Sequence, residues 1–140
     1  TKGGGALWEG LEARESRLQG AGNGLFTTRR FALGECVCAY MPLEGALLPT
    51  RVAIKLEDKS YLMRLGPQAY IDLREEMGVP ARFINDCRNP RHYNVAFDKR
   101  PDEGRALVIA TRDMDAGEEL FADYGKWYWA GCKHKPARLD

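Results

Sequence analysis

The sequence predicts a mainly β domain of many short strands, on three observations. Short runs rich in β-branched and aromatic residues recur between clusters of Gly, Pro, Asn and Asp, the pattern of strands separated by turns. Fifteen glycines and seven prolines in 140 residues interrupt most windows before an amphipathic helix can develop. One run, Leu107-Val108-Ile109-Ala110, is apolar on both faces, as in a strand buried on both sides.

Taken in order, Thr1-Lys2-Gly3-Gly4-Gly5 reads as a linker, and residues 11–18 have helical composition without a convincing N-cap. With 31–35 as the turn between them, residues 25–28 and 36–41 read as two short strands. In the last of these Cys36, Cys38 and Tyr40 share one face, and Val37, Ala39 and Met41 the other. Residues 60–65 and 68–73 pair around Gly66-Pro67, with a short helix over 73–77. Residues 93–98 and 106–111 flank the turn-rich connection 99–105, and Glu119-Leu120-Phe121 fits an edge strand. The organisation expected is an N-terminal flank over 1–19, one domain over 20–129 and a C-terminal flank over 130–140.

A chain of 140 residues suits one core that buries roughly two thirds of the unfolded surface. Basic and acidic residues nearly balance, 21 against 20, so no global field points to nucleic acid or an anionic membrane as partner. No apolar run is long enough to span a bilayer. Cys36, Cys38, Cys87 and Cys132 lack the paired spacing of structural zinc sites, so no metal is expected. They read as reduced, mostly buried thiols of an intracellular protein.

Four strings carry chemistry. Gly20-Ala21-Gly22-Asn23-Gly24 enters a strand, where glycines permit positive φ and let a backbone approach a ligand. Tyr40 and Tyr61 are strand aromatics that suit either a core or an aromatic pocket. In Arg82-Phe83-Ile84-Asn85 a polar amide follows an apolar turn; it either braces a loop or reads a ligand. Gly117-Glu118-Glu119-Leu120-Phe121-Ala122-Asp123-Tyr124-Gly125 sets a tyrosine in an acidic, glycine-bounded frame beside Trp127, Tyr128 and Trp129. There its hydroxyl can orient a reacting amine.

In that order and spacing the four blocks resemble the signature of SET-domain protein lysine methyltransferases, over about residues 20–129. The resemblance implies several short sheets, few helices and a knot-like threading of the C-terminal segment. It implies S-adenosylmethionine as methyl donor and S-adenosylhomocysteine as product, with Gly22, Asn23, Gly24, Tyr61, Asn85, Asp86, Trp127 and Trp129 about the cofactor. Tyr124 matches the catalytic tyrosine, and Tyr40, Tyr61, Met63, Ala122, Tyr124 and Tyr128 match the walls of the lysine channel. The partner implied is a histone tail or another lysine-containing peptide, and the place the nucleus, or the cytoplasm for a cytosolic substrate.

The chain also departs from the family pattern. Pro42 replaces a glycine after Tyr40, and Asp86, Cys87, Arg88 and Arg91 replace the His, Ser, Cys and final Asn of the asparagine motif. Only Cys132 follows Tyr124, so closure by residues 127–138 is expected to rest on aromatic packing instead of zinc. Ala122 stands where the family has Phe or Tyr, which predicts room for more than one methyl unless Phe121 fills the gap. Two other readings fit the residues: a weakly catalytic module that binds lysine peptides or a partner, and an unrelated small β-barrel reader.

Overall fold

The computed structural model describes residues 6–130 and 138–140. Three small antiparallel sheets carry the fold. β1 (Leu11–Glu15) pairs with β2 (Asn23–Thr27), and β4 (Leu62–Gly66) with β5 (Ala69–Asp72). The third has the order β3 (Cys36–Tyr40), β7 (Arg105–Ala110), β6 (Val95–Arg100), with β7 central. Two short helices, α1 (Thr50–Ala53) and α2 (Lys126–Ala130), and several 3₁₀ turns complete the chain. Among the described residues no helix is long and apolar enough to cross a membrane.

The chain folds differently from the sequence expectation at several points. Residues 11–18 hold β1 and a turn, because Leu11 to Glu15 pair residue by residue with β2 and bury Leu11, and that pairing overrides weak helical propensity. Residues 31–35 do form the expected turn, at Gly34 with φ +87°, but Phe31 first makes an unexpected bridge to Met114. Residues 73–77 form turns instead of a helix; there the Glu76 carboxylate accepts the amides of Leu43, Glu44 and Gly45 and ties down the start of the connection that follows β3. In β3 a bulge between Cys36 and Cys38 breaks the alternation, so Val37 and Tyr40 are both buried while Cys36 is exposed. β7 buries Ala106, Val108 and Ala110 on one face and half-buries Leu107 and Ile109 on the other.

The main core gathers Trp8, Leu11, Leu25, Phe31, Ile71, Leu73, Phe83, Val95, Val108 and Leu120, linking all three sheets. Each such large side chain contributes about 1.5–3 kcal/mol on burial. A second cluster of Leu18, Cys87 and Phe121 lies beside it, with Leu139 packed on it. Leu139 is held there by its amide to the Cys87 carbonyl at 3.2 Å and by Asn89 Nδ2 to its own carbonyl at 3.1 Å.

Between the β1–β2 hairpin and the 84–95 loop runs the segment 117–124. On one side Thr27 N donates to Glu118 O at 2.8 Å and Leu120 N to Leu25 O at 2.8 Å. On the other, Asn85 bridges Phe121 in parallel, Asn94 N donates to Phe121 O at 3.0 Å, and Ala122 N to Asn85 O at 3.1 Å. Leu120, Phe121 and Ala122 are fully buried as a result. The stretch thus reads as an edge strand in sequence but lies inside, tied on both sides.

Candidate active site

Burial of 120–122 sets where Tyr124 emerges. Its amide donates to Asp86 Oδ2 at 2.9 Å and its hydroxyl donates to the Ile84 carbonyl, so both ends of the residue are fixed by the 84–86 stretch. Gly125, at φ +90° and with its amide on Asp123 Oδ1 at 2.8 Å, then reverses the chain into α2. The helix returns two rings onto Tyr124. Tyr128 meets it edge-on at 4.5 Å between centroids, and Trp129 stacks on it at 5.9 Å with planes 17° apart.

Burial pushes the Tyr124 hydroxyl well above the usual phenol range, and the neighbouring Tyr128, Tyr40, Asp86 and Tyr61 add to this. The anion is the disfavoured form, so Tyr124 stays a neutral phenol through the neutral range. Tyr40 is pushed up in the same way, first by burial and then by Asp72, Tyr128 and Tyr61. These mutual influences bring Tyr40, Tyr61, Tyr124 and Tyr128 into one group.

Tyr40 donates to the Tyr61 backbone carbonyl at 2.6 Å and packs edge-on against Phe97 at 5.7 Å, which fixes its ring. Tyr61 and Met63 lie half-buried against the core that contains Tyr40 and Ala122. Phe121 does not occupy the Ala122 side. It is fully buried in the second cluster with the Arg17 guanidinium 5.5 Å above its ring.

The glycine string meets the asparagine motif, since Asn85 Nδ2 donates to the Asn23 carbonyl at 3.0 Å. The two glycines differ. Gly22 is exposed, has φ +73°, and has nothing within 4 Å of where a Cβ would project. Gly24 is buried, and a Cβ there would sit 2.2 Å from Glu119 Oε2, so this glycine makes room for a carboxylate. Asn85 Oδ1 accepts nothing among the described residues. An open backbone at Gly22 and Asn23 beside a free amide oxygen fits a ligand carrying polar amino-acid or nucleoside groups.

Asp86 and the two tryptophans fall out unequally. Asp86 is buried, and its carboxylate accepts from Tyr93 Oη at 2.7 Å, Arg88 N at 2.7 Å, Tyr124 N at 2.9 Å and Trp129 Nε1 at 2.8 Å. Trp129 joins the site through that bond and its stack on Tyr124. Trp127, expected over the cofactor, is 93% exposed and joins none of these residues. Beside the Asp86–Trp129 contact opens a cleft of about 480 Å³, lined also by Arg88, Tyr93, Asp123 and Lys126; none of Gly22, Asn23 or Asn85 lines it.

Several residues that shape the site carry no signal as single letters. Asn94 is the asparagine that braces: its Nδ2 donates to Glu119 O at 2.9 Å and its Oδ1 accepts from Phe121 N at 2.9 Å. Arg82 lays its guanidinium 4.3 Å from the centre of the Tyr61 ring while donating to the Leu73 and Arg74 carbonyls. Tyr93 holds Asp86. A buried carboxylate at 86 was the one available clue, since it must collect donors from nearby.

A family model described as SET domain matches residues 22–125 of the chain. The chain belongs to the SET-domain family. A histone-lysine N-methyltransferase, H3 lysine-4 specific, of Debaryomyces hansenii is 38% identical over 109 residues, which span 72% of this chain and 10% of that protein. The histone-lysine N-methyltransferase EHMT1 of Mus musculus is 30% identical over 158 residues, 93% of this chain and 11% of the relative. An N-lysine methyltransferase of Danio rerio is 29% identical over 119 residues, 77% of this chain and 33% of the relative. The chain thus spans about a tenth to a third of the length of these relatives. The mainly β architecture of small sheets and short helices is that of a SET domain.

Proposed function

We propose that this SET domain, taken as residues 20–129, is a protein-lysine N-methyltransferase that uses S-adenosylmethionine and acts on a histone tail or another lysine-containing peptide. The observation that carries the reading is the grouping of Tyr124 with Tyr40, Tyr61 and Tyr128, next to the exposed Gly22–Asn23 backbone that Asn85 joins. The relatives' names, all of lysine methyltransferases, support the same activity. A histone substrate would place the protein in the nucleus, and a cytosolic one in the cytoplasm.

When bound, S-adenosylmethionine supplies a sulfonium methyl that passes to a neutral amine in line, an N–C bond forming as the S–C bond breaks, and leaves S-adenosylhomocysteine. Gly22, Asn23, Asn85 and the backbone of Asp86 are the groups proposed to hold it, with Tyr61 and Trp129 beside them. The protein's own task is positional, and orientation supplies much of the barrier reduction in such reactions. Free lysine holds its proton up to a pKa near 10.4, and a wall of aromatic rings disfavours the ammonium. With its proton committed to the Ile84 carbonyl, the Tyr124 oxygen keeps lone pairs to accept from the amine N–H and so aim its own lone pair. Tyr40, Tyr61, Met63, Ala122 and Tyr128 form the rest of the wall.

Ala122 leaves volume that a Phe or Tyr would fill, and Phe121 is committed elsewhere, so more than one methyl is expected on the product. Mass spectrometry of product made with excess cofactor checks this, and a product confined to one methyl refutes it. The activity itself is tested by incubating the chain with labelled S-adenosylmethionine and, separately, core histones and a cytosolic extract. Transfer to a lysine side chain is expected. Absence of cofactor binding by calorimetry in a folded sample defeats the reading.

A further inference from the structure

Asp86 is the departure from the family motif that the fold uses most heavily. Its two oxygens are each shared by two donors from different parts of the chain. Oδ1 takes Tyr93 Oη and Arg88 N, both at 2.7 Å. Oδ2 takes Tyr124 N at 2.9 Å and Trp129 Nε1 at 2.8 Å. The Trp129 bond comes from α2, five residues long and so not self-supporting. Among the described residues, the rings of Tyr128 and Trp129 against Tyr124 and the bond to a buried carboxylate help to dock it. Arg88 adds its guanidinium 5.3 Å from the Trp129 ring.

We infer that Asp86 is a positioning residue for the proposed transfer: it latches α2 across Tyr124 and fixes the Tyr124 backbone with the same oxygen. Its carboxylate does not touch the reacting atoms. This inference rests on the proposed methyltransferase reading. It extends that reading by assigning closure of the site to a carboxylate–indole latch within the described residues.

The chemistry of the site makes Asp86→Ala a pointed test. Alanine removes every acceptor, whereas an asparagine can turn its NH₂ toward Tyr93 Oη, which accepts, and keep its oxygen on Tyr124 N and Trp129 Nε1. The chain has three indoles that can be told apart: Trp8, which donates to the Gly78 carbonyl at 3.0 Å, exposed Trp127, and Trp129. In ¹⁵N-labelled full chain, with the Trp129 indole resonance assigned by Trp129→Phe, D86A should shift that resonance alone toward the position of Trp127. In the same variant kcat at saturating cofactor should fall about tenfold or more, as expected for a misplaced group. An unmoved indole resonance, or a kcat within about twofold of wild type, overturns the inference. Should D86A fail to fold, Trp129→Phe decides. It keeps the carboxylate and the other three donors, and its kcat at saturating cofactor must fall about threefold or more; an unchanged kcat overturns the latch. A wild-type chain that shows the hydrogen-bonded indole but transfers nothing counts against the methyltransferase reading and leaves the latch standing.

Discussion

Two buried carboxylates sit at opposite ends of the segment 119–124, and they are satisfied in different ways. Glu119 accepts from Ser16 Oγ at 2.5 Å and Arg17 N at 3.0 Å, and has the Arg17 guanidinium 3.4 Å away. All of its side-chain partners lie in the β1–β2 turn, and Gly24 is small to admit it. Asp86 draws instead on neutral donors from the loop that follows it, from Tyr124 and from α2. The first ties the segment to the scaffold, and the second ties its exit to Tyr124 and α2. On the proposed reading, one buried carboxylate serves stability and the other placement.

Changes around Glu119 should sharpen this contrast by costing stability in the first instance. Gly24→Ala drives a methyl group into Glu119 Oε2, and the fold should lose about 3 kcal/mol, read as a fall in the urea midpoint at constant m. Glu119→Gln leaves an amide NH₂ facing Ser16 or the Arg17 amide and should cost about 2 kcal/mol by the same measurement. If either variant kept full stability while losing activity in the folded fraction, Glu119 would belong to the site and the division would fail. The smallest effect is expected at Trp127, which is 93% exposed: Trp127→Ala should change stability by less than about 0.5 kcal/mol. It should also leave kcat/KM within about twofold, and a larger loss would bring back the sequence expectation that this ring covers a ligand.

The sequence carried the fold where pattern and pairing agree. The β6–β7 hairpin and the β4–β5 pair were legible because alternation and turn residues mark both strands. β1 was not, since Leu, Glu, Ala and Arg favour a helix and only pairing with β2 makes them a strand. The motifs proposed for the site come together in the fold: Tyr124, Asn85 and the glycine string meet through Ile84, Asp86 and Asn23. Roles within the motifs were less legible. Asn85 was read as bracing a loop or reading a ligand; in the fold Asn94 braces with both amide ends, and Asn85 Nδ2 bonds the Asn23 carbonyl. Gly22 and Gly24 look alike as letters, yet one is open and one is filled by a distant carboxylate. Such assignments depend on contacts across about a hundred residues, which local pattern does not encode.

The central claim is that Tyr124 carries the proposed transfer. The most direct measurement compares wild type with Tyr124→Phe for transfer from labelled S-adenosylmethionine to a lysine-containing peptide, with cofactor affinity by calorimetry on the same samples. The variant keeps the ring packing with Tyr128 and Trp129 and loses only the hydroxyl bonded to the Ile84 carbonyl. Cofactor affinity should stay within about threefold, and the transfer rate should fall by about a hundredfold or more, close to 3 kcal/mol in the barrier. A Tyr124→Phe chain that transfers methyl groups at the wild-type rate would contradict the claim.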